Sequence, residues 1–537
     1  MEIGAGVVAR TRGVRRALDR RLAVSCERIR HVPSNRLADR QDPREPERGL
    51  SETDDVDGGS PHEACGVFGV FSPGTEVSHM AFDGLYALQH RGQESAGMAV
   101  SDGKGLVVVK DMGLVANVFN EYKLAGLQGS LGIGHTRYST TGSSSWRNAQ
   151  PVYRVSAPNP IRERPIEFAL GHNGNLTNTE ALAEAAGMLA GTVTSDSDVI
   201  AELVVRHLDS HPSDGLLEAL QAVLPCLEGA FSLVLCDVER LYAVRDPHGF
   251  RPLGLGRLES GWVVASETPA LDIVGAHFVR ELDPGELLVV EADSHDSFRP
   301  WPASAVNPKL CLFEFVYLAR PDSRLYGQEL HGARLRMGEL LAAQAPAVAD
   351  MVMGVPDSGL PAAEGFARAS GIRYGHGLVK NRYIGRTFIV PDQAQRAQGV
   401  RRKLNPLRSA IAGQRLVVVD DSIVRGTTTR AMVKMLREAG AAEVHLRISS
   451  PPYRWPCFYG LDTGTRSELI AANLTVAEIE QYLGADSLAY LSLEGLEAAT
   501  GAPGAGFCDA CLTGRYPTSV PVKFKGGVDA ELERLVV

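Results

Sequence analysis

Apolar and polar positions along this chain fall into two successive rhythms, preceded by a stretch that shows neither. Between residues 66 and 291, the runs Gly66–Phe71, Leu106–Lys110, Phe231–Cys236, Trp262–Ala265 and Glu286–Glu291 have strand length and strand composition. Helical spacing appears between them at Thr179–Leu189 and Asp198–Leu208. That mixture predicts stacked sheets flanked by helices. Beyond the proline-containing stretch Arg299–Pro308 the order becomes strand then helix: Met351–Val355 into Leu360–Ala369, and Leu416–Asp420 into Thr427–Ala439, followed by Glu443–Ser449. Regular alternation of this kind predicts a parallel, doubly wound sheet. The chain therefore reads as a two-domain α/β protein, without internal repeats or a coiled coil.

Length agrees with two domains, since 537 residues exceed the roughly 250–300 at which single cores stop growing. Hydrophobic residues at 44% and charged residues at 22% are ordinary for a soluble chain, and no run approaches the roughly 18 apolar residues of a membrane span. A net charge of −9 argues against nucleic acid as a partner of the whole chain. Eight cysteines in so long a chain are too few for a disulfide scaffold. Residues 1–64 differ in character: they hold twelve arginines and no lysine and end in an acidic, glycine-bearing stretch. They read as a propeptide or disordered leader, without the apolar core of a secretory signal.

Directly after that leader stands Cys65, heading Cys65-Gly66-Val67-Phe68-Gly69-Val70. A cut before Cys65 would place a thiol beside a free α-amino group, whose pKa of about 7.7–8.0 suits it to take the thiol proton. A buried, inert cysteine at a strand start is the plainer alternative. Three polar, glycine-rich segments downstream favour chemistry: Tyr86–Gly97 with Gln89-His90-Arg91-Gly92, Gly134–Thr140 with His135-Thr136-Arg137-Tyr138, and Gly171-His172-Asn173-Gly174-Asn175-Leu176. Together these blocks resemble the class II, N-terminal-nucleophile glutamine amidotransferases, which have an αββα sandwich. The resemblance covers residues 65–296 and implies that Cys65 attacks the glutamine amide, with Asn173 and the Gly174 N–H as the oxyanion hole. It further implies that Arg137 grips the α-carboxylate, Asp196 pairs with the α-ammonium and Arg91 belongs to the same glutamine-binding group.

In the second half, Leu416–Thr429 reads as a buried strand, the acids Asp420 and Asp421, and a Gly/Thr turn opening a helix. Backbone N–H groups at a helix N-terminus cradle phosphate, and paired carboxylates hold ribose hydroxyls or hydrated Mg²⁺. An ordinary strand-to-helix loop with capping acids is the alternative. The block resembles the phosphoribosyl-pyrophosphate loop of type I phosphoribosyltransferases, a resemblance that covers about residues 310–500 and implies a phosphoribosyltransferase domain over 297–502. By that resemblance Asp420, Asp421, Arg425, Gly426, Thr427 and Thr428 bind phosphoribosyl pyrophosphate. Ser358, in Val355-Pro356-Asp357-Ser358-Gly359, joins the two acids around one Mg²⁺ per subunit. Lys380, Arg382 and Lys403 lie on a basic flap from 380 to 405 that closes over substrate and neutralises departing pyrophosphate.

A glutaminase followed by this transferase is similar to the amidophosphoribosyltransferase family. The implied reaction makes 5-phosphoribosylamine, pyrophosphate and glutamate from phosphoribosyl pyrophosphate, glutamine and water, the first committed step of purine synthesis. Ammonia would pass between sites, with Tyr138 at one end of the passage and Tyr383 and Leu404 at the other. The pair Cys508 and Cys511, alone, fits a redox pair, a zinc half-site or cluster ligation. With Cys311 and Cys457 it resembles the ligand set of the family's 4Fe-4S branch, a four-cysteine zinc site being the rival, and 503–537 reads as a tail carrying ligands. The resemblance also implies a cytoplasmic homotetramer inhibited by AMP and GMP. Another glutamine-dependent synthase, or a non-catalytic nucleotide-binding regulator, would share only part of these features.

Overall fold

The computed structural model describes residues 65–138, 145–162, 164–188, 194–292, 294–381, 403–463, 465–502 and 504–520. The first half holds two antiparallel sheets. Seven strands run in the order His277–Glu281, Gly254–Arg257, Trp262–Ala265, Gly66–Phe71, Leu131–Arg137, Ser95–Ser101, Leu106–Met112. Six more run His295–Phe298, Leu287–Val290, Leu241–Arg245, Gly229–Cys236, Glu167–Leu176, Val152–Val155.

Three apolar layers stack these sheets. Between them lie Val67, Ile133, Ala169, Val234 and Leu241. Contact there is close enough that a Cβ on Gly69 would stand 2.7 Å from Val234. Helix Ser78–Ala87 covers the outer face of the larger sheet through Ala81 and Leu85, packing on Phe68 and Met98. Helices Asp196–Ser210 and Leu216–Val223 cover the smaller sheet through Val199, Val204 and Leu220. Helix, sheet, sheet, helix is the expected αββα order. Helix Asp196–Ser210 begins two residues before the expected start because Ser195 caps it, its hydroxyl accepting from Asp198 N at 3.3 Å. That puts Asp196 in the first turn.

In the second half the strands Met351–Gly354, Arg415–Asp420, Glu443–Ile448 and Ser487–Tyr490 form one wholly parallel sheet in that order. Alternate residues of its strands serve opposite cores. Val352, Val417 and Val419 face helices Leu330–Gln344 and Leu360–Ser370, while Met353, Leu416 and Val418 face helix Thr427–Glu438. Burial on both faces is what the near-continuous apolar run before Asp420 predicts.

The halves are joined by buried charge. Glu314, in the short π-helix Glu314–Leu318, is fully buried and accepts from Arg91 Nη2 at 2.5 Å and Arg251 Nη1 at 3.2 Å. Arg91 also donates through Nε to buried Glu267, and Arg251 donates to Tyr459 O at 2.8 and 3.1 Å. Phe250 stacks on Tyr459 with ring centroids 4.2 Å apart. Removing one member of a buried ionic group strands its partners in a low dielectric. Glu314→Gln is therefore expected to destabilise the chain by about 3–5 kcal/mol, read from the midpoint of urea denaturation.

Candidate active sites

Cys65 lies at the mouth of strand Gly66–Phe71, buried, and its Sγ is held by both polar groups of Tyr138: the thiol faces Tyr138 O at 3.4 Å and Tyr138 N donates to the sulfur at 3.5 Å. Antiparallel pairing of Gly66 with Thr136 sets that contact. Burial raises the thiol pKa, opposed by the Tyr138 hydrogen bond and by the charge of Arg137. Arg137 and Asp196 both act electrostatically on the sulfur, so the cysteine, the arginine and the aspartate named from sequence gather at one place. The Arg137 guanidinium is buried, with Glu94 at 3.8 Å.

Asn173 is fully buried, and neither its Oδ1 nor its Nδ2 has a hydrogen-bond partner among the described residues. Buried amides are almost always satisfied, so this one fits a group that meets a bound substrate. Gly174 next to it takes φ +148°, and a Cβ there would stand 2.1 Å from Ala230 O. A side chain cannot be placed at that point of the strand.

Asp196 is tied down more firmly than the sequence suggested. Its Oδ2 accepts from Leu176 N at 3.1 Å and its Oδ1 from Ser197 N at 2.8 Å. Burial raises its pKa, but His172, with Nδ1 3.7 Å away, and these N–H groups outweigh burial and hold it below the ordinary value. Gln150, Ser197 and His135, to which the sequence reading gave no role, complete this network. Gln150 accepts from His172 N at 2.7 Å and donates to Ser197 Oγ at 3.0 Å, and His172 Nδ1 meets the same hydroxyl at 3.1 Å. Buried His135 rests its Nε2 on His172 O at 3.0 Å, and burial pushes its pKa down to about 3. Arg91 is one shell removed: its guanidinium is engaged by Glu267 and Glu314.

In the transferase half Asp420 ends its strand and Asp421 follows, buried. Burial raises both carboxyl pKa values, joined for Asp420 by repulsion from Asp421 and opposed for Asp421 by the nearby Ser358 hydroxyl and by Ser422, which donates to its Oδ1 at 2.6 Å. Asp421 Oδ2 has no partner among the described residues. Behind the pair, Arg334 is buried, donates to Phe315 O and Ala319 O, and has its pKa pushed down to about 10 by burial. Ser358 is placed by a loop pressed on the same strand: Val355 N donates to Val419 O at 2.9 Å, and a Cβ on Gly359 would come within 2.5 Å of that oxygen. Gly426 takes φ +75° and opens helix Thr427–Glu438 with Thr427 exposed and Thr428 half-buried, N–H groups outward. Arg425 lies 3.6 Å from Glu468.

Lys380 reaches Asp357 Oδ2 at 2.8 Å, bringing the flap base to the loop that holds Ser358. Strand Leu378–Lys380 pairs with Leu404–Pro406, so Leu404 is buried opposite Lys380, and Lys403 O accepts from Asn381 N at 2.8 Å. Arg382 and Tyr383 lie outside the described residues, as does the leader before Cys65.

Cys311, Cys457 and the Cys508–Cys511 pair converge although the three places are far apart in sequence. Cys311 and Cys508 are register partners in a two-stranded parallel pairing, and Arg454 N and Trp455 N both donate to Cys511 O, drawing the Cys457 loop to the tail. All four are buried free thiols. Burial, then their mutual repulsion, raises Cys508 and Cys511, and burial pushes Cys311 up to about 12 despite Arg251 beside it. Such a group wants a cation. The segment from Cys457 also touches the glutaminase pocket: Asn175 Nδ2 donates to Phe458 O at 3.0 Å, and the Cβ position of Gly460 lies 3.1 Å from Gly174.

A buried thiol with an arginine and an aspartate beside it in an αββα sandwich, coupled to a parallel sheet with an acid pair before a Gly/Thr turn, is the arrangement of a glutamine-dependent phosphoribosyltransferase. The comparisons agree. A glutamine amidotransferase domain model matches residues 147–272 and a phosphoribosyl transferase domain model residues 336–449. The amidophosphoribosyltransferase of Mycobacterium tuberculosis is 52% identical over 475 residues, covering 86% of this chain and 88% of that one. That of Bacillus subtilis is 45% identical over 466 residues, covering 86% and 95%. A solved glutamine phosphoribosylpyrophosphate amidotransferase from B. subtilis, complexed with ADP and GMP, superposes with a TM-score of 0.78 at 43% identity, over 86% of this chain and 98% of that one. The chain belongs to the amidophosphoribosyltransferase family.

Two pH effects follow from the geometry. In chain that still carries residues 1–64, alkylation of Cys65 by iodoacetamide should rise with pH later than for an ordinary cysteine, because burial disfavours the thiolate; a rise at or below the ordinary range would contradict the burial argument. The metal-free acid pair is most costly where both carboxyls are ionised, so its raised pKa values make the fold gain stability as pH falls toward the ordinary aspartate range. Asp420→Asn should accordingly raise the melting temperature of metal-free protein at neutral pH, measured by calorimetry, while removing synthesis even from free ammonia.

Proposed function

We propose that the two sites carry the family reaction as separate half-reactions joined by ammonia, with the mature chain beginning at Cys65. The chain is an enzyme of the first step of purine biosynthesis. The observation that carries the residue-level reading is the unsatisfied, fully buried Asn173 amide beside Gly174 at positive φ, in a pocket that also holds Cys65, Arg137 and Asp196.

A freed Cys65 α-amino group takes the thiol proton, and the sulfur attacks the side-chain amide of glutamine. Asn173 Nδ2 and the Gly174 N–H stabilise the oxyanion, and ammonia departs as the thioester forms. Water then releases glutamate. Arg137 holds the α-carboxylate and Asp196, kept ionised by its N–H partners and His172, holds the α-ammonium. Arg91 acts by positioning, through Glu267 and Glu314.

Ammonia reaches the anomeric carbon of phosphoribosyl pyrophosphate along a passage with Tyr138 at its origin and Tyr383 and Leu404 at its end. The turn from Arg425 to Thr428 holds the 5-phosphate, and Asp420 and Asp421 face the ribose hydroxyls. The residues fit one Mg²⁺, since Asp421 Oδ2 is an unpartnered buried oxygen with Ser358 beside it; when bound, the ion neutralises the pyrophosphate leaving group. Lys380, Arg382 and Lys403 supply further positive charge over the pyrophosphate and exclude water.

Cys311, Cys457, Cys508 and Cys511 fit a 4Fe-4S cluster with a structural role. Four buried free thiols, with Cys311 and Cys508 as register partners, supply the ligand number of such a cluster, a four-cysteine zinc site being the rival. A cytoplasmic homotetramer inhibited by AMP and GMP completes the reading.

Cys65→Ala should lose glutamine-dependent pyrophosphate release yet keep release supported by ammonia, and equal loss of both would refute separable sites. Iron and sulfide analysis of anaerobically purified protein should give about four irons per chain, and stoichiometric zinc in their place would refute the cluster.

A further inference from the structure

Resting on the reading of Asn173 Nδ2 and the Gly174 N–H as oxyanion donors, we propose that the transferase half holds those donors in place: Asn175 is a positioning residue tied to Phe458, and Gly460 is the surface against which Gly174 is pressed. Asn175 follows Gly174 directly and is half-buried. Its Nδ2 donates to Phe458 O of the transferase half at 3.0 Å and to Leu176 O of its own strand at 3.2 Å. One amide therefore ties the strand to the other half of the molecule.

Gly174 needs such a tie. A glycine at φ +148° has no side chain to fix its peptide plane, so the direction of its N–H is set by what packs on it. One neighbour is strand Gly229–Cys236, whose Ala230 O lies 2.1 Å from the Cβ position of Gly174. A second is Gly460, itself at φ +100°, whose Cβ position falls 3.1 Å from both Cα and C of Gly174 and 3.2 Å from Arg251 Nη2. Backbone meets backbone there, and a methyl group would force the two apart.

The segment carrying Gly460 is in turn fixed from the glutaminase side. Arg251 donates to Tyr459 O through Nε at 3.1 Å and Nη2 at 2.8 Å, and Tyr459 stacks on Phe250. Arg251 O accepts from Ser232 Oγ at 3.1 Å, and Ser232 is the register partner of Asn173. A closed circuit results, from Asn173 through Ser232, Arg251, Tyr459 and Gly460 back to Gly174. Ala230, the register partner of Asn175, is buried in the same apolar cluster as Phe458 and Tyr459. Oxyanion donors work by being aimed before charge develops, and a misplacement of about 1 Å costs about a hundredfold in rate. The hole is rigid because the transferase half is docked behind it.

The test uses full-length, cluster-loaded protein and two variants: Asn175→Leu, which keeps the shape of the side chain and removes its donors, and Gly460→Ala. Each is assayed for glutamine-dependent and ammonia-dependent pyrophosphate release, and for inhibition by glutamate and by the aldehyde analogue of glutamine. The aldehyde takes the Cys65 sulfur at its carbonyl carbon and presents the resulting oxygen to the oxyanion donors, whereas glutamate reports ground-state binding. Both variants should lose about tenfold or more in glutamine-dependent kcat/KM and, by a matching factor, in aldehyde affinity, with glutamate inhibition within about twofold of wild type. Ammonia-dependent release should stay unchanged, which reports a folded chain; if Gly460→Ala fails to fold, Asn175→Leu alone decides. Equal weakening of aldehyde and glutamate in Asn175→Leu, or no change in either, would overturn the proposal. Asn173→Ala tests the premise separately: it should weaken the aldehyde by about a hundredfold, and an unchanged affinity would remove the oxyanion assignment and the positioning role with it.

Discussion

A carboxylate cannot sit fully buried and ionised unless positive charge meets it, and Glu314 meets two guanidiniums drawn from separate loops of the glutaminase half. One of them, Arg91, is shared with Glu267, and the other, Arg251, reaches on to the carbonyl of Tyr459. Desolvation makes every member of this group dependent on the rest. The relative placement of the two halves follows, because Glu314 and Tyr459 belong to the transferase side and the arginines to the other. The same contacts settle the Cys457–Gly460 segment against Asn175 and Gly174. Support for the strand carrying Asn173 and Gly174 and for one cysteine of the thiol group thus comes from a single buried ionic knot.

The two active sites solve opposite electrostatic problems. In the glutaminase pocket Asp196 has its N–H donors and Arg137 a carboxylate nearby, an arrangement that suits the zwitterionic amino acid proposed to bind there. At the transferase loop, two carboxyls are left facing one another with Asp421 Oδ2 unpartnered. That arrangement is poor for the fold and good for a cation-assisted reaction, a common trade at functional sites. The four thiols repeat the theme, since burial and mutual repulsion oppose their ionisation until a metal group compensates.

Much of the architecture was legible in the chain. Strand runs such as Gly66–Phe71 and Trp262–Ala265 appear with the bounds their apolar pattern predicts, and the Leu416–Asp420 run occupies the interior of the parallel sheet. Such runs carry their own evidence because burial on a face or on both faces must be written into the residues. The supporting network around His172 was not legible. Gln150, His135 and Ser197 are unremarkable polar residues in sequence, and only pairing of Glu167–Leu176 with its neighbours and packing of the sheets bring them together.

By itself the sequence singled out the side chains proposed to carry the chemistry: the thiol after the leader, the Asn-Gly pair, the acid pair before the Gly/Thr turn and the cysteines, because reactivity resides in residue type and local spacing. Tertiary structure alone decided which of them meet. It set Arg91 into the ionic knot between the halves, made Cys508 the partner of Cys311, and brought Gly460 against Gly174. Long-range proximity is a property of how sheets and helices pack around shared cores, and no local pattern of residues encodes it.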